Sequence, residues 1–147
     1  MANINALSAY RQTRIKTASQ GQLIIMLYDG GIGSLDHALE LLRGKHEFKK
    51  NPSKIEETGK AILKAQEIIT ELMVSLDFEN GGEIAESLFA LYTWFNKELL
   101  EAHVVMDEAR IMGVRDSLIE IRKSWAEIAS KTTPNRQDIG AGINIAG

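Results

Sequence analysis

Cysteine is absent from this sequence of 147 residues, and proline occurs only twice. Without cysteine the chain has no disulfides, no thiolate ligands for zinc and no cysteine nucleophile, which suits a reducing cytosol. The longest apolar run, at positions 23–28, is far shorter than the roughly 20 residues that a membrane-spanning helix needs. The first residues also lack a basic start followed by an apolar segment. We therefore expect a cytoplasmic protein that does not insert into membranes.

Histidine is scarce as well, and its placement argues against a metal centre. Helical bundles with di-iron sites carry a glutamate three residues before a histidine. Here the residues three positions before the three histidines are Ser34, Arg43 and Leu100. Zinc needs three or four ligands brought together, which three scattered histidines do not supply. We predict no metal, no cofactor and no enzymatic activity.

The overall composition is that of one ordinary globular domain. The sequence is 44% hydrophobic and 25% charged, close to the average for soluble domains. Its formal net charge of -3 provides no general attraction to a phosphate backbone. We predict no nucleic-acid partner.

Helical periodicity runs through most of the chain, and no long strand-like alternation is present. We predict four helices, at about residues 19–43, 54–76, 83–105 and 108–130. In the second helix, apolar residues repeat every seven positions from Ile55 to Leu76, which is the spacing of a packing seam. Four amphipathic helices joined by short loops predict an all-α fold, an antiparallel up-down four-helix bundle.

Several side chains are placed to cap helix ends. Ser19 with Gln22, and Ser53 with Glu56, have the spacing of capping boxes, in which the hydroxyl and the longer side chain satisfy backbone groups reciprocally. Asp107 immediately precedes the fourth predicted helix, where a carboxylate accepts hydrogen bonds from free backbone amides. These signals set the expected starts of three of the four helices.

Glycine is concentrated at two places with different expected roles. Gly30, Gly31 and Gly33 fall inside the first predicted helix, where each costs about 1 kcal/mol relative to alanine. Such a cluster indicates either a close approach of another backbone or a weak point in the helix. Residues 77–82 end in Asn-Gly-Gly and are predicted to form the turn before the third helix.

Both ends of the chain differ in composition from the predicted helices. Residues 1–16 mix apolar and basic side chains, and we predict that they form an N-terminal arm that folds over the bundle as a lid. Residues 132–147 are rich in glycine and asparagine, so we predict a flexible tail. Residues 17–131 are then the four-helix domain.

Several short motifs occur in a characteristic order along the chain. Tyr10 precedes Thr-Ala-Ser at positions 17–19, and Leu-Tyr-Asp-Gly follows at positions 27–30. Residues 76–85 read LDFENGGEIA, and residues 118–125 belong to the last predicted helix. Taken together and in this order, the sequence resembles the FliS family of flagellin-specific export chaperones.

Two positions depart from the pattern of that family. Gln20 and Gly21 follow Thr-Ala-Ser, where the family usually has proline, a favourable first residue of a helix. His103 stands where the family usually has asparagine. The first difference makes helix initiation less rigid, and the second concerns the link to the fourth helix.

The resemblance implies a cytoplasmic flagellar export chaperone. A protein of this kind binds the disordered C-terminal region of flagellin, prevents premature polymerisation and delivers the subunit to the flagellar type III export apparatus. The implied partners also include the export gate and other flagellar regulators. The resemblance further associates Tyr10 with docking at the export apparatus. Residues 17–131 would then be the chaperone domain.

The first helix contains more consecutive apolar residues than one packing stripe requires. We therefore predict an apolar groove that a client helix occupies, with the N-terminal arm as a displaceable cover. An arm that simply completes the core, and candidate residues that serve only as core packing, are equally compatible with the sequence. The candidate partner-binding residues are Leu7, Tyr10, Ile15, Leu23, Ile24, Leu27, Tyr28, Leu91, Tyr92 and Phe95.

Two other functions remain open from the sequence alone. A histidine phosphotransfer bundle needs one exposed histidine within a helix, and His37 and His103 both fall in predicted helices. A structural bundle that assembles with itself, for example as a homodimer, is the other. Acid-labile phosphate on either histidine would support the first, and light scattering with and without a client would test the second.

Overall fold

The computed structural model describes residues 20–132, which form four α-helices. These are α1 (Gln20–Arg43), α2 (Ser53–Val74), α3 (Phe78–Val105) and α4 (Glu108–Thr132), with a short 3-10 helix at Lys45–Glu47. The predicted all-α four-helix fold is confirmed. The predicted N-terminal arm, and the tail beyond residue 132, lie outside the described residues.

The four helices form an up-down bundle. Helix α1 packs against α2 and α4, and α3 completes the square by packing against the same two helices. In the described part of the chain, the backbones of diagonally opposite helices stay apart. Residues 75–77 and 106–107 are the only connections around α3, and such short links require antiparallel neighbours.

A continuous apolar core runs along the bundle axis. Its largest fully buried side chains include Tyr28, Tyr92 and Phe95. The seven-residue repeat predicted for α2 supplies buried Ile62 and Ile69. Removing side chains of this size from water contributes about 1.5–3 kcal/mol each. None of the helices within residues 20–132 is both long and apolar enough to cross a membrane.

The structure confirms one predicted helix cap and corrects another. Asp107 Oδ1 accepts hydrogen bonds from the backbone amides of Ala109 and Arg110 at 3.0 and 3.3 Å, as predicted. The capping box predicted for Ser53 and Glu56 is wrong, because α2 already begins at Ser53. The Ser53 hydroxyl instead donates to Asn51 Oδ1 at 2.7 Å. The capping residue predicted for α1, Ser19, lies outside the described residues.

Helix α3 begins earlier than the sequence pattern predicts. Asp77 caps it by accepting hydrogen bonds from the amides of Glu79 and Asn80, so the predicted turn already contains one helical turn. Gly82 then interrupts the helix with φ 51° and ψ -126°. Residues other than glycine rarely adopt this conformation. The Asn-Gly-Gly sequence therefore produces a kink inside α3 and not the end of a loop.

The glycine cluster of α1 allows a close approach of two neighbouring helices. A Cβ atom added at Gly30 would lie 3.2 Å from Ile68 Cδ1 of α2. One added at Gly31 would lie 3.6 Å from Ile68 and 3.7 Å from Leu118 of α4. Gly33 faces open space. At the first two glycines it is side chains of α2 and α4 that approach the α1 backbone, and the expected close approach of another backbone stays a prediction.

Ion pairs border the contact between α1 and α4. Arg122 contacts Asp29 through Nε at 2.5 Å, and this carboxylate raises the pKa of the Arg122 guanidinium. Arg115 pairs with Asp36 at 3.1 Å. Surface pairs of this kind contribute at most about 1 kcal/mol each, so they fix register more than stability.

Replacing Gly59 of α2 with alanine tests the packing of α2 against α3. The new Cβ would lie 2.7 Å from His103 Nε2, so the His103 ring must move or one of the two helices must shift. We expect Gly59→Ala to lower the free energy of unfolding by about 1–3 kcal/mol, measured by urea denaturation. The matched control, Gly33→Ala, meets no atom within 4 Å and should raise it by up to about 1 kcal/mol.

A second background separates steric conflict from other causes. In a His103→Ala chain the obstructing ring is gone, so Gly59→Ala should no longer destabilise. An equal loss in both backgrounds would show that the His103 contact is not responsible.

Candidate partner-binding surface

The candidate residues predicted on α1 lie in the core. Leu23 and Tyr28 are fully buried, and Ile24 and Leu27 nearly so. Ile24, Leu27 and Tyr28 pack into the cluster that joins all four helices. Their contact with a partner stays a prediction, and it would require part of the core to become accessible.

The candidates on α3 are divided between core and margin. Tyr92 and Phe95 are fully buried, while Leu91 is half-buried at the edge of the core. The three candidates of the N-terminal arm, Leu7, Tyr10 and Ile15, lie outside the described residues. The structure thus brings five of the ten candidates together in this cluster, with Leu91 at its edge, and it also buries Leu23.

Two buried tyrosines and a tryptophan form a hydrogen-bonded group across three helices. The Tyr28 and Tyr92 hydroxyls are 2.5 Å apart, and Trp125 Nε1 donates to the Tyr28 hydroxyl at 3.3 Å. Burial raises the pKa of Tyr28, with hydrogen bonds partly opposing the shift. Burial also raises the pKa of Tyr92, reinforced by its neighbour Tyr28. Buried polar groups need such partners, so this group fixes how α1, α3 and α4 meet.

Asn96 shows which side of α3 adjoins α2. Its Nδ2 donates to Thr70 Oγ1 at 3.3 Å, and its backbone carbonyl accepts from Gln66 Nε2 at 3.1 Å. Residues three, four, seven or eight positions away share a side of a helix. This contact therefore provides a reference point for the residues that border the groove between the two helices.

Exposed apolar side chains lie on this side of both helices. Phe89 and Leu100 are spaced seven and four residues from Asn96, and Val104 follows four residues later. On α2, Leu63 lies three residues before Gln66, and Val74 lies four residues after Thr70. All five are exposed, from 43% at Phe89 to 75% at Val104. We name Leu63, Val74, Phe89, Leu100 and Val104 the α2–α3 face.

The kink at Gly82 extends this face at one end. Because the helix bends there, the ring of Phe78 packs edge to face against Phe89, with 5.9 Å between ring centroids. In a straight helix, residues eleven positions apart would lie about 16 Å apart along the axis. Phe78 is itself about half exposed, so the two aromatic rings together present an uncovered apolar corner.

A second group of exposed apolar residues lies on the opposite flank of α3. Glu98 bonds Arg110 of α4 at 2.7 Å, which marks the side of α3 facing α4. Trp94 lies four residues before Glu98 and Val105 seven residues after it, so both share this side of α3, and both are exposed. Helix α3 is therefore apolar on both flanks of its buried stripe.

The sequence predictions did not include the α2–α3 face. The consecutive apolar residues of α1 predict a groove there, whereas the apolar residues of the α2–α3 face are separated by polar ones and give no comparable pattern. A signal was nevertheless present, since Phe89, Trp94 and Leu100 are large apolar residues outside the regular stripe of α3. A helix with one buried stripe leaves such residues uncovered.

A cleft of about 390 Å³ lies where α1 meets the loop before α2, with Leu41, Phe48 and Lys54 among its lining residues. Within it, His37 Nε2 contacts Glu57 Oε2 at 3.0 Å. Among the described residues, no group of three or more acidic or histidine side chains could hold a metal ion.

Comparison with known proteins identifies the group to which this bundle belongs. Residues 3–132 match the family model of the flagellar protein FliS. The chain belongs to the FliS family. The resemblance seen in the sequence motifs is thereby confirmed.

Relatives within the FliS family span almost the whole chain. It is 33% identical over 138 residues to the flagellar secretion chaperone FliS of Salmonella typhimurium, covering 90% of this chain and 96% of that protein. It is 33% identical over 133 residues to FliSB of Pseudomonas aeruginosa, covering 88% and 99%. The Bacillus subtilis FliS is 26% identical over 140 residues, covering 95% and 98%. These relatives are secretion chaperones, a role that involves no catalysis.

Alkaline pH tests the buried tyrosine pair of this FliS-family bundle. The pKa of both tyrosines is raised above the ordinary 10.0, so above about pH 10 the unfolded chain releases protons that the folded chain retains. The free energy of unfolding should therefore be unaffected below this pH and fall above it. Each tyrosine should contribute about 1.4 kcal/mol per pH unit.

Urea denaturation from about pH 9 to about pH 11.5 measures this slope. In Tyr92→Phe the free energy of unfolding should fall less steeply with pH, by the contribution of one tyrosine. In Tyr28→Phe/Tyr92→Phe the slope should lose the contributions of both tyrosines. Lysine titration is common to all variants and cancels in the comparison. Identical slopes in the three proteins would contradict the raised pKa values.

Proposed function

We propose that this chain is a cytoplasmic flagellar export chaperone that binds the disordered C-terminal region of flagellin. It prevents premature polymerisation and delivers the subunit to the flagellar type III export apparatus. Its FliS-family relatives, which are flagellar secretion chaperones, support the proposal. The structural observation that carries it is the uncovered α2–α3 face beside an intact core.

An amphipathic helix of the client fits the α2–α3 face. The face is a line of separated apolar side chains along two antiparallel helices, and a client helix offers anchors at matching three- and four-residue spacing. Ordering a disordered client costs on the order of 2–5 kcal/mol. Several buried anchors, each contributing about 1.5–3 kcal/mol, offset this cost and still permit release.

The N-terminal arm has a separate role in this proposal. Leu7, Tyr10 and Ile15 cover part of the apolar surface when no client is bound, and the client takes their place. The buried candidates on α1, such as Leu23 and Tyr28, then support the binding surface from inside or become accessible when the arm leaves. Tyr10 also docks at the export gate in this scheme.

Histidine phosphotransfer is the less supported alternative. His37 is half exposed, but it is engaged with the carboxylate of Glu57. This contact occupies Nε2, one of the two ring nitrogens that a phosphoryl group could reach. The ring of His103 packs against Gly59. Family membership and both contacts favour the chaperone.

Acidic substitutions on the α2–α3 face should weaken client binding. Leu63→Asp and Leu100→Asp each remove an apolar anchor. Each also introduces a charge that the bound client helix would remove from water, which is unfavourable. We expect the Kd for the flagellin C-terminal segment to rise at least about tenfold, measured by calorimetry. Folding stability should change by no more than about 0.5 kcal/mol, since both residues are exposed.

Met112→Asp on α4 is the matched control for these variants. Met112 is an exposed apolar residue on a helix that does not border the face, so this variant should retain wild-type affinity. Wild-type affinity in the two face variants as well would show that the client binds elsewhere.

Deletion of residues 1–16 tests the N-terminal arm. If the arm covers the groove, its removal should tighten client binding severalfold, because no competing segment has to be displaced. A full-length variant with Leu7, Tyr10 and Ile15 replaced by serine keeps the chain length and should tighten binding similarly. Unchanged or weaker binding in both would rule out a displaceable cover.

A further inference from the structure

Charge is distributed unevenly along the chain. Residues 65–96, which include the end of α2 and the first half of α3, contain six carboxylates and no lysine, arginine or histidine. The net charge of the whole chain is only -3, so the remainder is basic overall. The carboxylates of this stretch are Glu67, Glu71, Asp77, Glu79, Glu83 and Glu86.

Three of these carboxylates lie close in sequence to Phe78 and Phe89, the two aromatic residues at the corner of the α2–α3 face. Glu79 follows Phe78 directly, and Glu86 lies one helical turn before Phe89. Glu83 lies one turn before Glu86, so the two like charges repel each other along the helix. All three side chains are exposed.

Acidic side chains beside other helix contacts have cationic partners within the bundle. Arg110 of α4 holds Glu98 and Glu101 of α3 at 2.7 and 3.0 Å. Asp29 and Asp36 of α1 are paired with arginines of α4. By contrast, within residues 20–132 no cation lies in ion-pair distance of Glu79, Glu83 or Glu86.

Building on the proposed function, we propose that the client segment docked at this corner is a cationic amphipathic helix. Its apolar stripe contacts Phe78 and Phe89, and lysine or arginine residues beside the stripe pair with Glu79, Glu83 and Glu86. The partner thus supplies the cations that the bundle lacks here, and it relieves the repulsion between Glu83 and Glu86. Arginine suits this role because it binds carboxylates in a bidentate manner.

The charge pairing adds selectivity and speed to an otherwise apolar contact. Complementary charge accelerates encounter and disfavours acidic helices of equal hydrophobicity. Both effects weaken with salt, because the carboxylates are exposed. The competing occupant is a second copy of this chain that presents its basic loop, with Lys45, Lys49 and Lys50; sedimentation of the free chain tests it.

The test reverses charge at the corner and measures binding of the flagellin C-terminal segment. Glu83→Lys/Glu86→Lys should raise the Kd about tenfold at low salt, with the difference shrinking at high salt. The matched control, Glu40→Lys/Glu127→Lys, makes the same change of net charge at exposed positions on α1 and α4. It should change the Kd less than about twofold.

A second client segment, with every lysine and arginine replaced by glutamine, completes the design. It should bind more weakly than the natural segment, with little salt dependence, and should not distinguish the reversed chain from the wild type. If both segments bind both chains equally while Leu100→Asp still weakens binding, the cationic helix is overturned and the proposed function stands. If neither the charge reversal nor Leu100→Asp weakens binding, both the cationic helix and the proposed function are overturned.

Sedimentation of the free chain examines self-association. A monomer at all salt concentrations agrees with the proposal. A salt-sensitive dimer would overturn the inference if two variants each abolish it: Lys45→Gln/Lys49→Gln/Lys50→Gln and Glu83→Lys/Glu86→Lys. That result would assign the corner to a second copy of the chain.

Discussion

The structure depends above all on how closely α1 packs against its two neighbours. Gly30 and Gly31 allow Ile68 of α2 and Leu118 of α4 to approach the α1 backbone. As a result, the 24-residue α1 buries ten residues, whereas the 28-residue α3 buries five. The core is therefore built around α1, and α3 attaches to it through a single stripe. The apolar side chains on the flanks of α3 have no position left inside the bundle.

Much of the fold follows from local sequence signals. Periodicity predicts four helices, and the observed bounds differ by only one or two residues except at α3. Asp107 caps α4 because a carboxylate beside free amides needs no tertiary contact. The start of α3 was mispredicted because Asp77 supplies such a cap before Gly82, and a kink cannot be distinguished from a loop by composition. The cap predicted at Ser53 failed because α2 begins one residue earlier.

The candidate binding surface was less predictable, for a physical reason. A run such as residues 23–28 exceeds one packing stripe, which suggests exposure, but burial depends on how near the neighbouring helices come. Here the neighbouring helices come close, and only Ile25 and Met26 within the run remain half-buried. Conversely, the spacing of Phe89 and Leu100 would allow these side chains either to pack into the core or to contact a partner. Which of the two applies depends on tertiary packing, and a single sequence does not encode that locally.

An exposed apolar helix must be held in place by something other than its exposed side chains. Tyr92 anchors α3 from inside through the Tyr28 hydroxyl, and Asn96 bonds to Thr70 and Gln66 beside the α2–α3 face. The contact between the Tyr28 and Tyr92 hydroxyls is buried, where an unpaired polar group is costly, so it favours one register where apolar contacts alone would tolerate several. Phe89 and Leu100 are thus presented on a positioned helix, so that in the proposed function a client covers and leaves them without disturbing the core.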